Sequence, residues 1–340
     1  MAKARVLVVD DSMTMRMMVA GILEKDKDIQ VVGMADGAEE ARAMVRDLKP
    51  NVMTLDVEMP GMNGIDYLAE IMETAPMPVI MFSTLTAKGA ESSIEALRLG
   101  ALDCYPKPTR ATPDEMQAAF GKLSKTIKEA PKRFAELNDG PSASAAKRAA
   151  ATGAFAWNGT IVTVGADVAS TKPLFDLLGR WPADGPPVMV VQHMRPELAD
   201  GMIAKLSDSV APRVVEASDG LKVEQGMIVF CRPGTHHVYI DAWPGGTIRL
   251  LDKPPFAGQR PSISLMMATL AKSAAAKTIG VLLAGGEDGQ QGAAALRAAR
   301  ACAIAPAEDG SGKLELGRGM AVQPIKSSDI AETVLGMCRG

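Results

Sequence analysis

"RVLVVDDSMTMRMMVAGILEK", Arg5 to Lys25, decides how the first part of the chain folds. Val6 to Val9 run uninterrupted into Asp10 and Asp11, and apolar residues then recur at helical spacing. This reads as a buried strand that ends on two carboxylates and turns into a helix. The same alternation repeats downstream. "IQVVGM", "NVMTLD", "MPVIMFS" and "ALDCYP" read as strands, and "AEEARAMVRDL", "GIDYLAEIMETA" and "AESSIEALRLG" as the helices between them. Alternating β and α units predict a doubly wound parallel sheet whose site lies beyond the carboxyl ends of its strands. The polar residues collect there: Asp10 and Asp11 after the first strand, Asp56 at the third, Ser83 at the fourth and Lys107 after the fifth.

Working outward, "NDGPSASAAKRAAATG" is small, polar and mildly basic, and reads as a mobile linker of roughly 15 to 20 residues. From Trp157 the alternation resumes. "TIVTVGA", "PVMVVQHM", "MIVFCRPG", "HHVYIDAW", "GTIRLLD", "TIGVLLAGG" and "ACAIAP" read as strands, with helices such as "KPLFDLLGRW", "SISLMMATLAKSA" and "SSDIAETVLGM". The strands between Met227 and Leu251 lie close together around turns, which predicts an antiparallel edge on a mainly parallel sheet. The expected organisation is a first α/β domain over residues 1–122, a linker over 123–155 and a second α/β domain over 156–340.

Composition limits the function classes. A chain of 340 residues has room for two domains at ~150 residues each. A net charge of −3 leaves no nucleic-acid footprint and no polybasic membrane surface. No apolar run reaches the ~20 residues that span a bilayer, so membrane insertion is not expected. The first strand starts almost at Met1, leaving no room for a signal peptide. Cys104, Cys231, Cys302 and Cys338 form no CxxC pair and read as reduced, buried thiols of a cytoplasmic protein.

Carboxylates at neighbouring strand ends are costly to hold together without a cation, and hard oxygen donors at that density suit Mg²⁺. Lys107 and Ser83 would neutralise and hydrogen-bond a phosphoryl group on Asp56. Asp-Asp, "DVEMPGMNG", "MFSTLT" and "YPKP", in this order, resemble the receiver domain of two-component response regulators. The resemblance implies that Asp56 accepts the phosphoryl group, that Asp10 and Asp11 help it hold Mg²⁺, that Ser83 is the hydroxyl switch and that Lys107 binds the phosphoryl oxygen. One position departs: the aromatic switch expected three residues before the lysine is Cys104. Tyr105 is adjacent, but strand alternation points it to the opposite face.

In the second domain "VGADVAST" carries a strand into a helix through Asp167, His193 follows the strand "VMVVQHM", and Asp288 follows "VLLAGG". A histidine oriented by a carboxylate and facing a strand–helix turn is the arrangement of a serine hydrolase, except that the turn presents a carboxylate. With the receiver and linker before them, "VGA", "QHM", "CRPGTHH", "RPSIS" and "LLAGGEDGQQG" resemble the chemotaxis protein-glutamate methylesterase family. In that family the turn reads Gly-Ala-Ser-Thr-Gly-Gly. The match therefore sets Asp167 on the nucleophilic Ser, His193 on the general base and Asp288 on the acid that orients it. Ser264 stands where an Asp follows "RPS", His237 matches a structural histidine, and "LAGGEDG" is a residue short and lacks the family's Met.

Several readings of Asp167 compete. It could be a carboxylate nucleophile, although attack on an ester would then form a mixed anhydride and expel a far more basic alkoxide. It could bind a metal with His193 and Asp288. It could sit in a catalytically dead site, ion-paired to His193, which is the favoured reading. Ser170 or Thr171 could also replace the missing hydroxyl. The resemblance implies a phosphorylation-controlled chemotaxis response regulator, with a chemotaxis histidine kinase and methyl-accepting chemotaxis receptors as partners. The expectation is that ester hydrolysis is lost with the catalytic Ser. The alternative is an active protein-glutamate methylesterase and protein-glutamine glutaminase. A protease that attacks unstructured chain should cut the linker first and leave stable fragments near about 14 and 19 kDa. Uniform degradation would refute two autonomous domains.

Overall fold

The computed structural model describes residues 3–83, 87–107, 113–138, 154–283, 287–307, 313–318 and 321–340, which fall into two compact units, Met1–Leu137 and Asn138–Gly340. Among the described residues no helix is long and apolar enough to cross a membrane.

The first unit alternates β1 (Ala4–Val9), α1 (Met13–Leu23), β2 (Ile29–Ala35), α2 (Ala38–Leu48), β3 (Val52–Asp56), α3 (Gly64–Thr74), β4 (Val79–Ser83), α4 (Ala87–Leu99), β5 (Asp103–Pro106) and α5 (Pro113–Asn138). The strands pair in parallel in the order β2-β1-β3-β4-β5. β3 is buried along its whole length, as its near-continuous apolar run requires in a sheet covered on both faces. Ser12 caps α1 by accepting the Met15 N–H, and Asn63 caps α3 by accepting those of Ile65 and Asp66. These caps start α1 just after the acid-bearing end of β1, and α3 beyond the loop that follows Asp56. α5 runs on to Asn138, so the stretch expected as linker begins as helix. Leu123, Ile127 and Ala130 recur at helical spacing and are fully buried. Residues 139–153, the heart of the expected linker, lie outside the described residues.

The second unit contains β6 (Ile161–Asp167), α6 (Thr171–Leu178), β7 (Val188–His193), α7 (Ala199–Ser209), β8 (Arg213–Glu216), β9 (Met227–Cys231), β10 (His237–Ile240), β11 (Ile248–Leu251), α8 (Ile263–Ser273), β12 (Thr278–Leu282), α9 (Glu287–Ala298), β13 (Cys302–Pro306), β14 (Leu314–Arg318), β15 (Ala321–Ile325) and α10 (Ile330–Met337). Its eight-stranded sheet has the order β15-β14-β13-β12-β6-β7-β9-β8. The antiparallel edge is present but lies at the other end from the one expected: β14 and β15 form it. β8 pairs in parallel with β9 and takes its outer edge, so β10 and β11 cannot add there. They form a separate hairpin that packs on α8. At the start of this unit Trp157 meets Trp243 of that hairpin edge to face, with ring centroids 6.1 Å apart. Their indole N–H groups donate to the Thr160 and Gly159 carbonyls.

The ends of β12, β6 and β7 carry the candidate site. β6 is the central strand of the three, and the chain leaves it to one side and later returns on the other. That places a crevice at the strands' carboxyl ends. α8 lies close over this region because β6 offers Gly165, where an added Cβ would fall 2.4 Å from Ile263 Cγ2 and 3.1 Å from Leu282 Cδ1. Gly165→Ala should therefore destabilise the second unit by about 1–3 kcal/mol through overpacking, read as a lower urea midpoint. An unchanged midpoint would show that α8 does not press on β6.

Candidate functional sites

In the first unit the structure brings Asp10, Asp11 and Asp56 together, each offering a carboxylate oxygen within 4.8 Å of the others. Asp10 and Asp56 are buried and Asp11 is exposed. Lys107 Nζ lies 2.5 Å from Asp56 Oδ2 and 3.3 Å from Asp10 Oδ2. The other oxygens are partly committed: Asp10 Oδ1 accepts the Ser12 N–H and Asp56 Oδ1 the Glu58 N–H. Burial pushes the Asp56 carboxyl up to about 6, with Asp10 adding to the rise and Lys107 opposing it. The folded site thus holds a proton more tightly than the unfolded chain, and this contribution to stability is lost as the pH rises through about 6. Three hard oxygen donors in a pocket short of positive charge fit Mg²⁺.

Ser83 ends β4, and its side chain lies outside the described residues. Cys104 is buried under α4, with its thiol donating to the Ser93 carbonyl. Tyr105, on the opposite face as alternation demands, hydrogen-bonds Thr126 of α5 at 2.9 Å.

In the second unit Asp167 and His193 are register partners at the ends of β6 and β7, so they sit side by side on one face. The Asp167 carboxylate caps the following turn: Oδ1 accepts the Ser170 N–H at 3.0 Å and the Ser170 hydroxyl at 2.9 Å. This differs from the expected ion pair with His193, whose partner is Asp288: Nε2 lies 3.2 Å from Asp288 Oδ2 and 3.3 Å from the Pro261 carbonyl. Both of those oxygens accept, so Nε2 carries a proton and Nδ1 is the nitrogen left for proton transfer. Asp167, His193 and Asp288 do not converge as a metal-holding trio. Among the described residues the acids at Asp10, Asp11 and Asp56 are the group that does. Ser170 and Thr171 carry the hydroxyls that follow Asp167 in the chain. Both are buried, and their hydroxyls are committed, Ser170 to Asp167 and Thr171 to the Val168 carbonyl.

Asp288 is held from several sides. It sits at a kink in α9, where Asp288 and Gly289 leave helical geometry, and only 6 % of it is exposed. It accepts the Ser262 hydroxyl at 2.8 Å and the Ile263 and Ser264 N–H groups at 2.9 Å each. These are the N-terminal donors of α8, which favour an anion. Burial alone would raise the carboxyl, but the His193 bond and those donors outweigh it and hold Asp288 at about 2. The Ser264 hydroxyl accepts the Gly289 and Gly292 N–H groups and so fixes the acid's own loop from the other side. Ser262, Ser264 and the Pro261 carbonyl belong to the site but carry no catalytic signature in the sequence. Their sequence trace is the cap-like "RPSIS" before an apolar helix.

Together these features define a doubly wound α/β domain with an acid cluster beside a lysine, joined to a second α/β domain with a buried acid–histidine pair. Residues 162–325 match the CheB methylesterase family and residues 6–120 the response regulator receiver domain. A protein-glutamate methylesterase/protein-glutamine glutaminase of Caulobacter vibrioides is 40% identical over 88% of this chain and 87% of its own. One of Rhizobium johnstonii is 36% identical over 99% and 97%. The crystal structure of the Thermotoga maritima CheB methylesterase catalytic domain is 26% identical, covering 53% of this chain and 98% of its own, with a TM-score of 0.46. The chain belongs to the chemotaxis response regulator protein-glutamate methylesterase family.

Because the folded-state pKa of Asp288 lies below its ordinary value, its stabilisation is complete above about pH 4 and is lost as the pH falls through about 2. Asp288→Asn should therefore cost about 2–3 kcal/mol at neutral pH, measured by denaturant unfolding. A variant as stable as the wild type would show that these donors do not hold a carboxylate.

Proposed function

We propose that this chain is a phosphorylation-controlled chemotaxis response regulator in which the esterase scaffold no longer hydrolyses esters. The observation that carries this reading is the Asp167 carboxylate capping its own turn at the nucleophile's position, with both neighbouring hydroxyls buried and committed. An ester hydrolase of this type needs its histidine to take a proton from a hydroxyl as that oxygen attacks. A carboxylate has no such proton to give. Its attack would leave a mixed anhydride and expel methoxide, a far poorer leaving group than the carboxylate itself.

The receiver chemistry, in contrast, is supported by the clustering of Asp10, Asp11 and Asp56 beside Lys107. A phosphohistidine of the chemotaxis kinase would lose its P–N bond as an Asp56 oxygen forms the P–O bond. Lys107 is placed to take the charge on a phosphoryl oxygen. Asp10, Asp11 and Asp56 would hold Mg²⁺, whose charge stabilises the transferring phosphoryl group. Methyl-accepting chemotaxis receptors are the partners of the second unit, bound or adapted without ester cleavage.

The rival is an active methylesterase and glutaminase, and one observation favours it: the Asp288–His193 pair is fully built. Methanol release from methylated receptor, with and without a small phosphodonor, separates the two. The wild type should stay at background in both conditions while Asp56 takes up phosphate, and Asp56→Asn should lose that label. Asp167→Ser should regain only weak turnover, since losing one oxyanion donor alone costs about 10²–10³-fold and the flanking loop is short. Robust wild-type turnover that disappears in Asp167→Asn would make the aspartate a working nucleophile.

A further inference from the structure

We propose that His237 is a positioning residue that sets the Asp288–His193 pair through the backbone of Ser262. The proposal rests on reading Asp288 and His193 as the acid–base pair of this site.

His237 opens β10 and is 2 % exposed. Its Nε2 lies 3.0 Å from the Pro254 carbonyl, which can only accept, and its Nδ1 lies 3.1 Å from the Ser262 amide, which can only donate. The ring is therefore neutral, with its proton on Nε2 and a lone pair on Nδ1 aimed at Ser262. It acts as a strut across the loop from Pro254 to Ser262 and fixes both ends at once.

What that loop carries makes the strut matter. Four consecutive residues, Pro261 to Ser264, supply the groups that hold the pair. Pro261 gives its carbonyl to His193 Nε2, Ser262 its hydroxyl to Asp288 Oδ1, and Ile263 and Ser264 their N–H groups to the same carboxylate. The Ser262 hydroxyl also accepts the Leu265 N–H as the cap of α8, so Ser262 joins the helix start to the acid. His237 grips this run through the backbone N–H of Ser262. A displacement of Ser262 would move three donors of Asp288 and the second acceptor of His193 together, and errors of ~1 Å in such constellations cost about 10²-fold in working enzymes. Among the described residues no hydrogen bond joins His237 to Asp288 or His193, and its hydrogen-bonded link to the pair runs through Ser262.

The chain has three histidines, which makes imidazole NMR of the full-length protein, labelled with ¹⁵N-histidine, readable. His236→Gln removes the third ring for assignment. In the wild type His237 should be the Nε2–H tautomer with an accepting Nδ1, and His193 should show a downfield, slowly exchanging Nε2–H resonance. Two substitutions then separate the two ends of the strut. His237→Asn sets an amide oxygen where Nδ1 stands, keeps an acceptor for the Ser262 N–H, and should keep the His193 resonance. His237→Gln reaches instead toward Pro254, leaves the Ser262 N–H without its acceptor, and should lose that resonance or return it to the position of a free imidazole.

A role in packing alone would make the two variants behave alike, and that result would overturn the proposal. A wild-type His237 protonated on Nδ1 would overturn it with no variant at all, which keeps the test decisive if His237→Gln does not fold. A wild type without the His193 resonance would remove the acid–base pair and the proposal with it. Methanol release by the wild type would defeat the loss of hydrolysis but leave this proposal standing.

Discussion

The second unit is organised around one buried anion. The Asp288 carboxylate takes its donors from the first residues of α8 and from His193, and so ties the start of α9 to α8 and to the end of β7. A buried carboxylate keeps its charge only if its oxygens are satisfied. That requirement brings the N-terminus of α8 close to the sheet, and the closeness explains where the strands are bare. Gly165 in β6 leaves room for Ile263 itself, one of the donors to Asp288. Gly280 in β12 leaves room for Leu296 of α9, whose added Cβ contact would be 2.2 Å. Gly165, the approach of α8 and the acid's low pKa follow from the same constraint, whereas Gly280 makes room for α9.

The two sites use opposite electrostatics. In the first unit Lys107 faces both Asp56 and Asp10, and Asp56 rises to about 6: the site is left short of positive charge, and a divalent cation and a phosphoryl group suit it. In the second unit Asp288 is over-supplied with donors and falls to about 2. The first arrangement suits a site that changes its occupant. The second suits a fixed element of architecture, and beside this pair the Asp167 carboxylate caps its own turn.

The clustering of Asp10, Asp11, Asp56 and Lys107 was legible in the sequence because each sits at or just after the end of an apolar strand, where alternation fixes position without tertiary detail. The acid–histidine pair was legible for the same reason, since His193 and Asp288 both follow strands. What held Asp288 was not legible, because its donors are largely backbone N–H groups of α8, and any sequence with a helix there would present them. The role of Asp167 was misread as an ion pair because the competing donors, the Ser170 amide and hydroxyl, lie only three residues away and win by proximity. β14 and β15 were missed because "LELGR" and "AVQPI" carry little buried apolar surface, and β15 is exposed along most of its length. β14 pairs with β13 and β15 in turn with β14, so their place comes from the neighbouring strand, not from their own composition.

The tryptophans have an optical consequence. Trp157, Trp181 and Trp243 all belong to the second unit, and the first has none. Indole emission from the intact protein therefore reports on one half of the molecule alone. Two of its three sources form the edge-to-face pair where the chain enters that half from the segment joining it to the receiver. Any change in that emission when a phosphoryl mimic is bound at Asp56 has to have crossed from one unit to the other, so the unmodified chain carries its own spectroscopic reporter of communication between its halves.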